Sequence, residues 1–432
     1  MTMAADLGPS DPLDQSLVAL ETIRSAVVNL GRIIVRSTDC GPTLCRMLQA
    51  PAPRAIAINE LLWWTYEQVF RAHAERAGMA PARLEAVNWW VEADEPSIIR
   101  DPALWHPLAR DLFAGTTGPT SLPNLRRGFF AYASAYQSLL AETDQIADLI
   151  LDSGSPPGAR VSDARRDRGV FYTPQPLIEH LLRSSVCEPL QERLKQIDPA
   201  STREQVILSF RVCDPAAGVG GFLRLASRFL ASQFGADFSA RVLNNCIYGV
   251  DIDPLAITLC RAVLMLEAPN GCQWSSLCQH IKVGHAIIGA TPSLIAAGIP
   301  SEAFRGGPGD LPAAQRYYRD RNRRERRTMR TDLVPVDPKL AADAWCAAFV
   351  WRLTDTDQPG MIEGCPGRWD AITQRTFEQI QQHPHTMPTW MIDEIHRLAR
   401  EHRFFHWHLE FPEVIKPNST LFDGSDSDEP RP

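Results

Sequence analysis

The sequence predicts an α/β protein in which a parallel, doubly wound sheet follows a helical N-terminal domain, and three observations carry that prediction. Long segments with helical apolar spacing fill residues 1–150. Apolar, β-branched segments alternate with helical ones after residue 169. A turn with three glycines in four positions joins one such strand to the next helix. The 432 residues, 44% hydrophobic and 22% charged, have ordinary globular composition and length for two or more domains. A formal net charge of -7 argues against coating nucleic acid with the whole surface, so contact with a polyanion must come from a local basic patch.

Taken in order, "SLVALETIRSAVVNLGRIIV" and "INELLWWTYEQVFRAHAERAG" are the clearest helices of the N-terminal domain, broken at "APAPRA" and "AGTTGPTSLPN". Residues 151–168, rich in Pro, Gly and Arg, read as a linker. Residues 169–290 form the α/β part. Within it "EQVILSF" (Glu204 to Phe210) and "CIYGVDI" (from Cys246) are expected as buried strands, and "FLRLASRFLASQF" as the helix after the glycine turn. Residues 291–414 read as an insertion and helical region, with helices around Gln374 to His402, and residues 415–432 as a disordered acidic tail. No internal repeat is found. The ten cysteines form no C-x-x-C pair and show no zinc spacing, and Cys213, Cys246 and Cys260 sit in apolar segments. No metal is expected, and a reduced thiol set points to the cytoplasm. The N-terminus is acidic and the longest apolar run, near "AWCAAFVW", is too short to span a bilayer, so neither export nor a membrane role is implied.

The turn itself is "DPAAGVGGFL" (Asp214 to Leu223). At the carboxyl end of a strand, such a turn presents free N–H groups and a positive helix end to a nucleotide-like ligand. The dinucleotide fingerprint is not met, because Phe222 and Leu223 fall where its third glycine belongs. The stretch resembles motif I, D-P-x-x-G-x-G-x-F-L, of N6-adenine DNA methyltransferases. "GVFYTPQPLIEHLL" (Gly169 to Leu182) is similar to their motif X, and "CIYGVDIDPLAITLCRAVL" (Cys246 to Leu264) to motif II. "HIKVGHAIIGA" (His280 to Ala290) resembles motif III, with His285 standing where Asn or Asp usually meets the adenine. The resemblance implies S-adenosylmethionine as cofactor, held by Tyr172 and Thr173 of motif X and by Asp214, Ala216, Gly218 and Gly220 of motif I. It further implies a ribose contact from Asp251, adenine packing on Ile252 and a base contact from His285. Asp253 and Pro254 start the next helix.

The resemblance also shows what these residues lack. In the family the chemistry sits in motif IV, [DNS]-P-P-[YFW], whose polar group and aromatic ring hold the flipped adenine. The one "SPP", at Ser155 to Pro157, is followed by Gly158 and falls in the linker. No catalytic residue is therefore assigned to this chain. "ADAWCAAFVW" and "HRFFHWHLEFPEV" resemble segments preceding motif IV in the large methylases of type IIG restriction and of BREX and DISARM phage defence. The expectation is a partial doubly wound (Rossmann-like) methyltransferase sheet lacking the later strands. Its motif I strand then has one unpaired edge, which a second subunit carrying NPP[YFW] and the target-recognition domain would complete. On that expectation the chain is inactive alone. A non-catalytic cofactor-binding or assembly subunit, or a truncated remnant, are the other readings left open.

"QRYYRDRNRRERRTMR" (Gln315 to Arg330) is the local basic patch. Arg316, Arg319, Arg323, Arg324 and Arg327 are candidates to contact the phosphates of double-stranded DNA. A solvated helix with internal Glu/Arg pairs, or a surface for acidic tails, would have the same composition.

Overall fold

Proline at the first turn of a helix and apolar residues at helical spacing explain most of the described elements. The structure, a computed structural model, describes residues 12–36, 41–92, 122–151, 175–197, 201–234, 238–268, 270–307, 309–330, 333–353 and 371–415. They divide into two compact units, Met1–Val283 and Gly284–Pro432. No helix among the described residues is long and apolar enough to cross a membrane.

The first unit begins with α1 (Pro12–Val35), α2 (Gly41–Gln49), α3 (Pro51–Arg76), α4 (Pro81–Glu85), α5 (Leu122–Leu140) and α6 (Thr143–Leu151). Leu61 to Phe70 of α3 are buried without interruption, as expected of a helix enclosed by others. α7 (Gln175–Leu182) continues through a π turn, Arg183–Cys187, into α8 (Glu188–Lys195). α9 (Arg203–Leu208), β1 (Val212–Asp214), α10 (Gly221–Ser232), α11 (Ser239–Asn245), β2 (Ile247–Asp251), α12 (Pro254–Glu267), α13 (Trp274–His280) and β3 (Ile281–Val283) follow. The strands are parallel in the order β1-β2-β3, with Val212 opposite Ile247 and Gly249 opposite Ile281. Among the described residues β1 is thus an edge strand. One hydrophobic core runs from Ile23 in α1 to Ile281 in β3, joined by the rings of Phe70, Trp89 and Trp274. The helical region and the sheet share that core.

One expected strand is corrected. "EQVILSF" is helical as α9 to Leu208, and β1 starts only at Val212. Thr202 and Gln205 form a capping box: Thr202 Oγ1 accepts from Gln205 N at 3.2 Å, and Gln205 Oε1 accepts from Thr202 N at 2.8 Å. Two satisfied N–H groups at the helix start outweigh the weak strand preference of Val206 and Ile207.

The second unit holds α14 (Pro292–Ala297), α15 (Pro312–Glu325), α16 (Pro338–Val350), α17 (Gln374–Gln382), α18 (Thr389–His402) and α19 (Trp407–Glu410) around its own core. The helices expected between Gln374 and His402 are α17 and α18. Linker residues from 152 and tail residues from 416 lie outside the described residues, as do Tyr172 and Thr173.

Candidate functional site

The glycine turn follows β1 as expected. Asp214 Oδ1 accepts from Ala216 N at 3.0 Å, an Asx turn that bends the chain off the strand. Ala217 N donates to Val250 O of β2 at 2.9 Å, and Gly220 N to Ala217 O at 2.9 Å. Gly218 (φ 52°) and Gly220 (φ 86°) both lie in the left-handed region, where a Cβ is strained. At Gly220 a Cβ would also stand 2.7 Å from Cys260 Sγ. No side chain caps α10, so its first N–H groups open onto the turn. Gly249 of β2 is a residue that sequence reasoning missed: a Cβ there would stand 2.7 Å from Leu223 Cδ1 and 3.1 Å from Ala217 Cβ.

Asp251, at the end of β2, grips the turn. Its Oδ2 accepts from Gly218 N at 2.8 Å and its Oδ1 from Asp253 N at 2.9 Å. A carboxylate offers about four acceptor sites, so lone pairs remain for a ligand hydroxyl. Asp253 caps α12, accepting from Leu255 N at 2.9 Å and Ala256 N at 3.3 Å. Burial pushes the Asp214 carboxyl above its usual 3.8; the Ala216 N–H opposes this and the Asp251 charge adds to it. Burial likewise raises Asp251, against the N–H groups of Asp253 and Gly218 and together with the Asp253 charge. Ile252 is 41% exposed, an apolar side chain presented beside Asp251.

A cleft of about 340 Å³ lies against the turn. Asp214, Ala216, Gly218 and Phe222 form one side; Ile178 and Leu181 of α7 and Phe130 and Ser134 of α5 also line it. Its volume is in the range of small-molecule clefts, roughly 300 to 1,000 Å³. Asp251 and Ile252 do not line it, and Asp251 meets the same turn through Gly218 N. A second hollow of about 400 Å³, over Leu190, Lys195, Arg203 and Gln233, holds none of the motif residues. The α5 side chains were invisible to sequence reasoning, because nothing local marks a residue about eighty positions upstream as part of a motif wall.

Residues 160–275 match the family model of N-6 DNA methylases. The matched segment contains the turn after β1 and the acids after β2, and it supports an N6-adenine DNA methyltransferase family. Such methylases generally use S-adenosylmethionine. No curated protein and no solved structure matches the chain.

His285 belongs to the second unit, where its main-chain N–H donates to Arg403 O at 2.7 Å and it bridges to Phe404. The surrounding loop is clamped by residues 403–407. Phe405 N donates to Ile288 O at 2.8 Å, Trp407 Nε1 to Ala286 O at 2.8 Å, and Ala290 N to His406 Nδ1 at 3.0 Å. Because Nδ1 accepts, the proton sits on Nε2 and is donated to Asp343 Oδ1 at 2.8 Å.

On α15 the arginines separate into two groups. Arg321 pairs with Glu325 at 2.8 Å, while Arg326 donates to Ile299 O at 2.8 Å from the short helical turn after α15. Tyr318 and Asn322 are buried on the same inner side, Asn322 donating to Ile299 O at 2.9 Å. Arg316, Arg323, Arg324 and Arg327 are exposed and Arg319 is half-buried. Spacings of three and four residues gather them on the outer side.

Proposed function

We propose that this chain is the cofactor-binding subunit of a heteromeric, S-adenosylmethionine-dependent N6-adenine DNA methyltransferase serving restriction-modification or phage defence. The observation that carries it is the carboxylate-held glycine turn, Asp251 to Gly218, inside the segment matched by the methylase family. S-adenosylmethionine, when bound, supplies a methyl group activated on a sulfonium. In this reading the uncapped start of α10 and the cleft beside Asp214 receive its amino-acid end, Tyr172 and Thr173 close that end, and Asp251 and Ile252 hold the nucleoside.

The methyl acceptor must be held by groups outside these residues, since the 432 contain no Pro-Pro-aromatic sequence. Our reading places that motif, with the target-recognition domain, in a partner chain that pairs along β1. Support comes from the strand order, in which β1 has a partner on one side only among the described residues, and from the exposure of Cys213 in the middle of that strand. The outer arginines of α15 would add contacts to duplex phosphates, and the methylation itself would take place in the cytoplasm.

The test purifies the chain alone and together with the product of the neighbouring gene, and follows transfer of labelled methyl groups to adenine in duplex DNA. Transfer is expected only from the pair. Robust transfer by the chain alone would overturn the division of labour. In calorimetry on the pair, Gly218→Val and Asp251→Ala are expected to weaken S-adenosylmethionine binding, Asp251→Ala by roughly 1 to 3 kcal/mol. Unchanged affinity in both variants would remove the cofactor assignment.

A further inference from the structure

Tyr136 lies on α5, in the helical region, and is 1% exposed. Its hydroxyl donates to Asp253 Oδ2 at 2.9 Å, with Oδ1 at 3.2 Å, across 117 positions of sequence. Its ring is fixed edge-on against Tyr66, with centroids 5.9 Å apart, and the Tyr66 hydroxyl is itself tied to Tyr132 O at 2.9 Å. The hydroxyl of Tyr136 is therefore delivered at a set place by a packed helix bundle.

The cap on α12 does not require it, because Asp253 Oδ1 already takes the N–H groups of Leu255 and Ala256. What the hydroxyl adds is a third hold on the carboxylate, chiefly on Oδ2, which takes neither helix N–H. With that carboxylate anchored at both ends, the main chain of residue 253 is held, and its N–H points at Asp251 Oδ1 at 2.9 Å. The other oxygen of Asp251 holds Gly218 N at 2.8 Å. A path thus runs from the helical region into the glycine turn: a hydrogen bond to the Asp253 side chain, the covalent frame of residue 253, and hydrogen bonds through Asp251 to Gly218.

We infer that Tyr136 is a positioning residue for the cofactor turn, acting through Asp253 and Asp251 on Gly218, and that the helical region thereby sets the shape of the site. The inference rests on the cofactor reading of that turn. It also gives residues 122–140 a task besides packing: α5 lends Phe130 and Ser134 to the cleft and Tyr136 to its support.

Tyr136→Phe keeps the ring and removes the hydroxyl. Asp253→Ser keeps a good helix cap on a side chain too short to reach Tyr136 as well. Hydrogen exchange on the full chain is expected to show the Gly218 and Asp253 amides exchanging about tenfold faster in Tyr136→Phe, the effect of one lost hydrogen bond, with core amides of α3 and α12 unchanged. S-adenosylmethionine affinity, measured by calorimetry on the chain paired with its partner, is expected to fall several-fold. In the Asp253→Ser background, Tyr136→Phe should add no further loss at either readout. Unchanged exchange at both amides overturns the proposal, and so does uniform acceleration through the whole first unit, which marks a general loss of stability. Wild-type and Tyr136→Phe chains binding the cofactor equally well would also overturn it. If the wild-type pair takes up no S-adenosylmethionine while both amides still respond, the cofactor reading fails and the positioning role falls with it, leaving only a contact that orders the turn.

Discussion

The turn after β1 and the loop after β3 both carry glycines and were both read as cofactor motifs, yet they are held by different means. The first is gripped by side-chain carboxylates that lie within the same motif pair, Asp214 on its own strand and Asp251 on the neighbouring one. The second is held by main-chain bonds and aromatic rings from residues 403–407, more than a hundred positions downstream. The first is therefore held by carboxylates within residues 214–253 and answers to pH, with Tyr136 of the helical region bonded to the last of them. The second depends on a distant segment folding onto it, and its rings, main chain and buried His406–Asp343 pair decide its shape.

The largest effect is expected at Gly289. A Cβ there would run into the main-chain oxygen of Phe405, which has no rotamer to escape into. Gly289→Ala should destabilise the second unit by about 3 kcal/mol or more, at the upper end of overpacking costs. Chemical denaturation followed separately in the two units should show the first unaffected. Equal loss in both would break the contrast between a turn held by its own motif acids and a loop held by residues 403–407.

Next comes His406, fully buried between Ala290 N and Asp343. His406→Leu keeps much of the volume and removes both bonds, leaving Asp343 with Lys339 at 2.6 Å. The expected loss is roughly 1.5 to 3 kcal/mol, the range for hydrogen bonds to a charged group. Faster amide exchange at Ala290, with Gly218 unchanged, would sharpen the comparison; protection kept at Ala290 would show the histidine dispensable to the loop.

A smaller effect concerns pH. The Asp214 and Asp251 carboxyls are held above their usual 3.8 in the fold. Protonation therefore favours the folded form: their contribution is complete below the unfolded value and is lost as pH rises through the raised ones. A bound cation pulls those values down again, so the stabilisation conferred by S-adenosylmethionine should grow across the same rise. Thermal melting with and without cofactor is expected to give a larger shift at pH 7 than at pH 4. A shift independent of pH would detach the two acids from the cofactor.

The smallest effect on stability is expected from α15, whose outer arginines belong to neither loop. Changing Arg316, Arg323 and Arg327 to Glu should leave both loops and the melting temperature nearly unchanged. In the complex it should flatten the dependence of DNA affinity on salt, by a slope of roughly one for each phosphate contact removed. An unaltered slope would assign the face to solvent.

Much of the candidate site was legible because its parts obey local rules. Positive φ at Gly218 and Gly220, the Asx turn at Asp214 and the cap at Asp253 each involve neighbours within a few positions, so residue type and spacing announce them. The strand expected at Glu204 failed for the converse reason. Val206 and Ile207 suit a strand, but a short apolar run does not by itself distinguish strand from helix, and the capping box of Thr202 and Gln205 decides the matter. The division of arginines on α15 was half legible: helical spacing could sort them into faces, but which face turns inward depended on Tyr318 and Asn322 finding partners elsewhere.

By itself the sequence determined the glycine turn and following helix of the motif, the acid at the end of β2, the helical character of "SLVALETIRSAVVNLGRIIV" and of most of "INELLWWTYEQVFRAHAERAG", and a local excess of positive charge. These follow from backbone sterics, capping and periodicity, which act over a few residues. Only the tertiary structure decided that the helical region shares a core with the sheet, that Tyr136 bonds to Asp253 across 117 positions, and that residues 403–407 hold the loop of His285. Such contacts depend on which surfaces the core brings together, and the packing that selects them sums many weak interactions over the whole chain, leaving no mark in any short window of sequence.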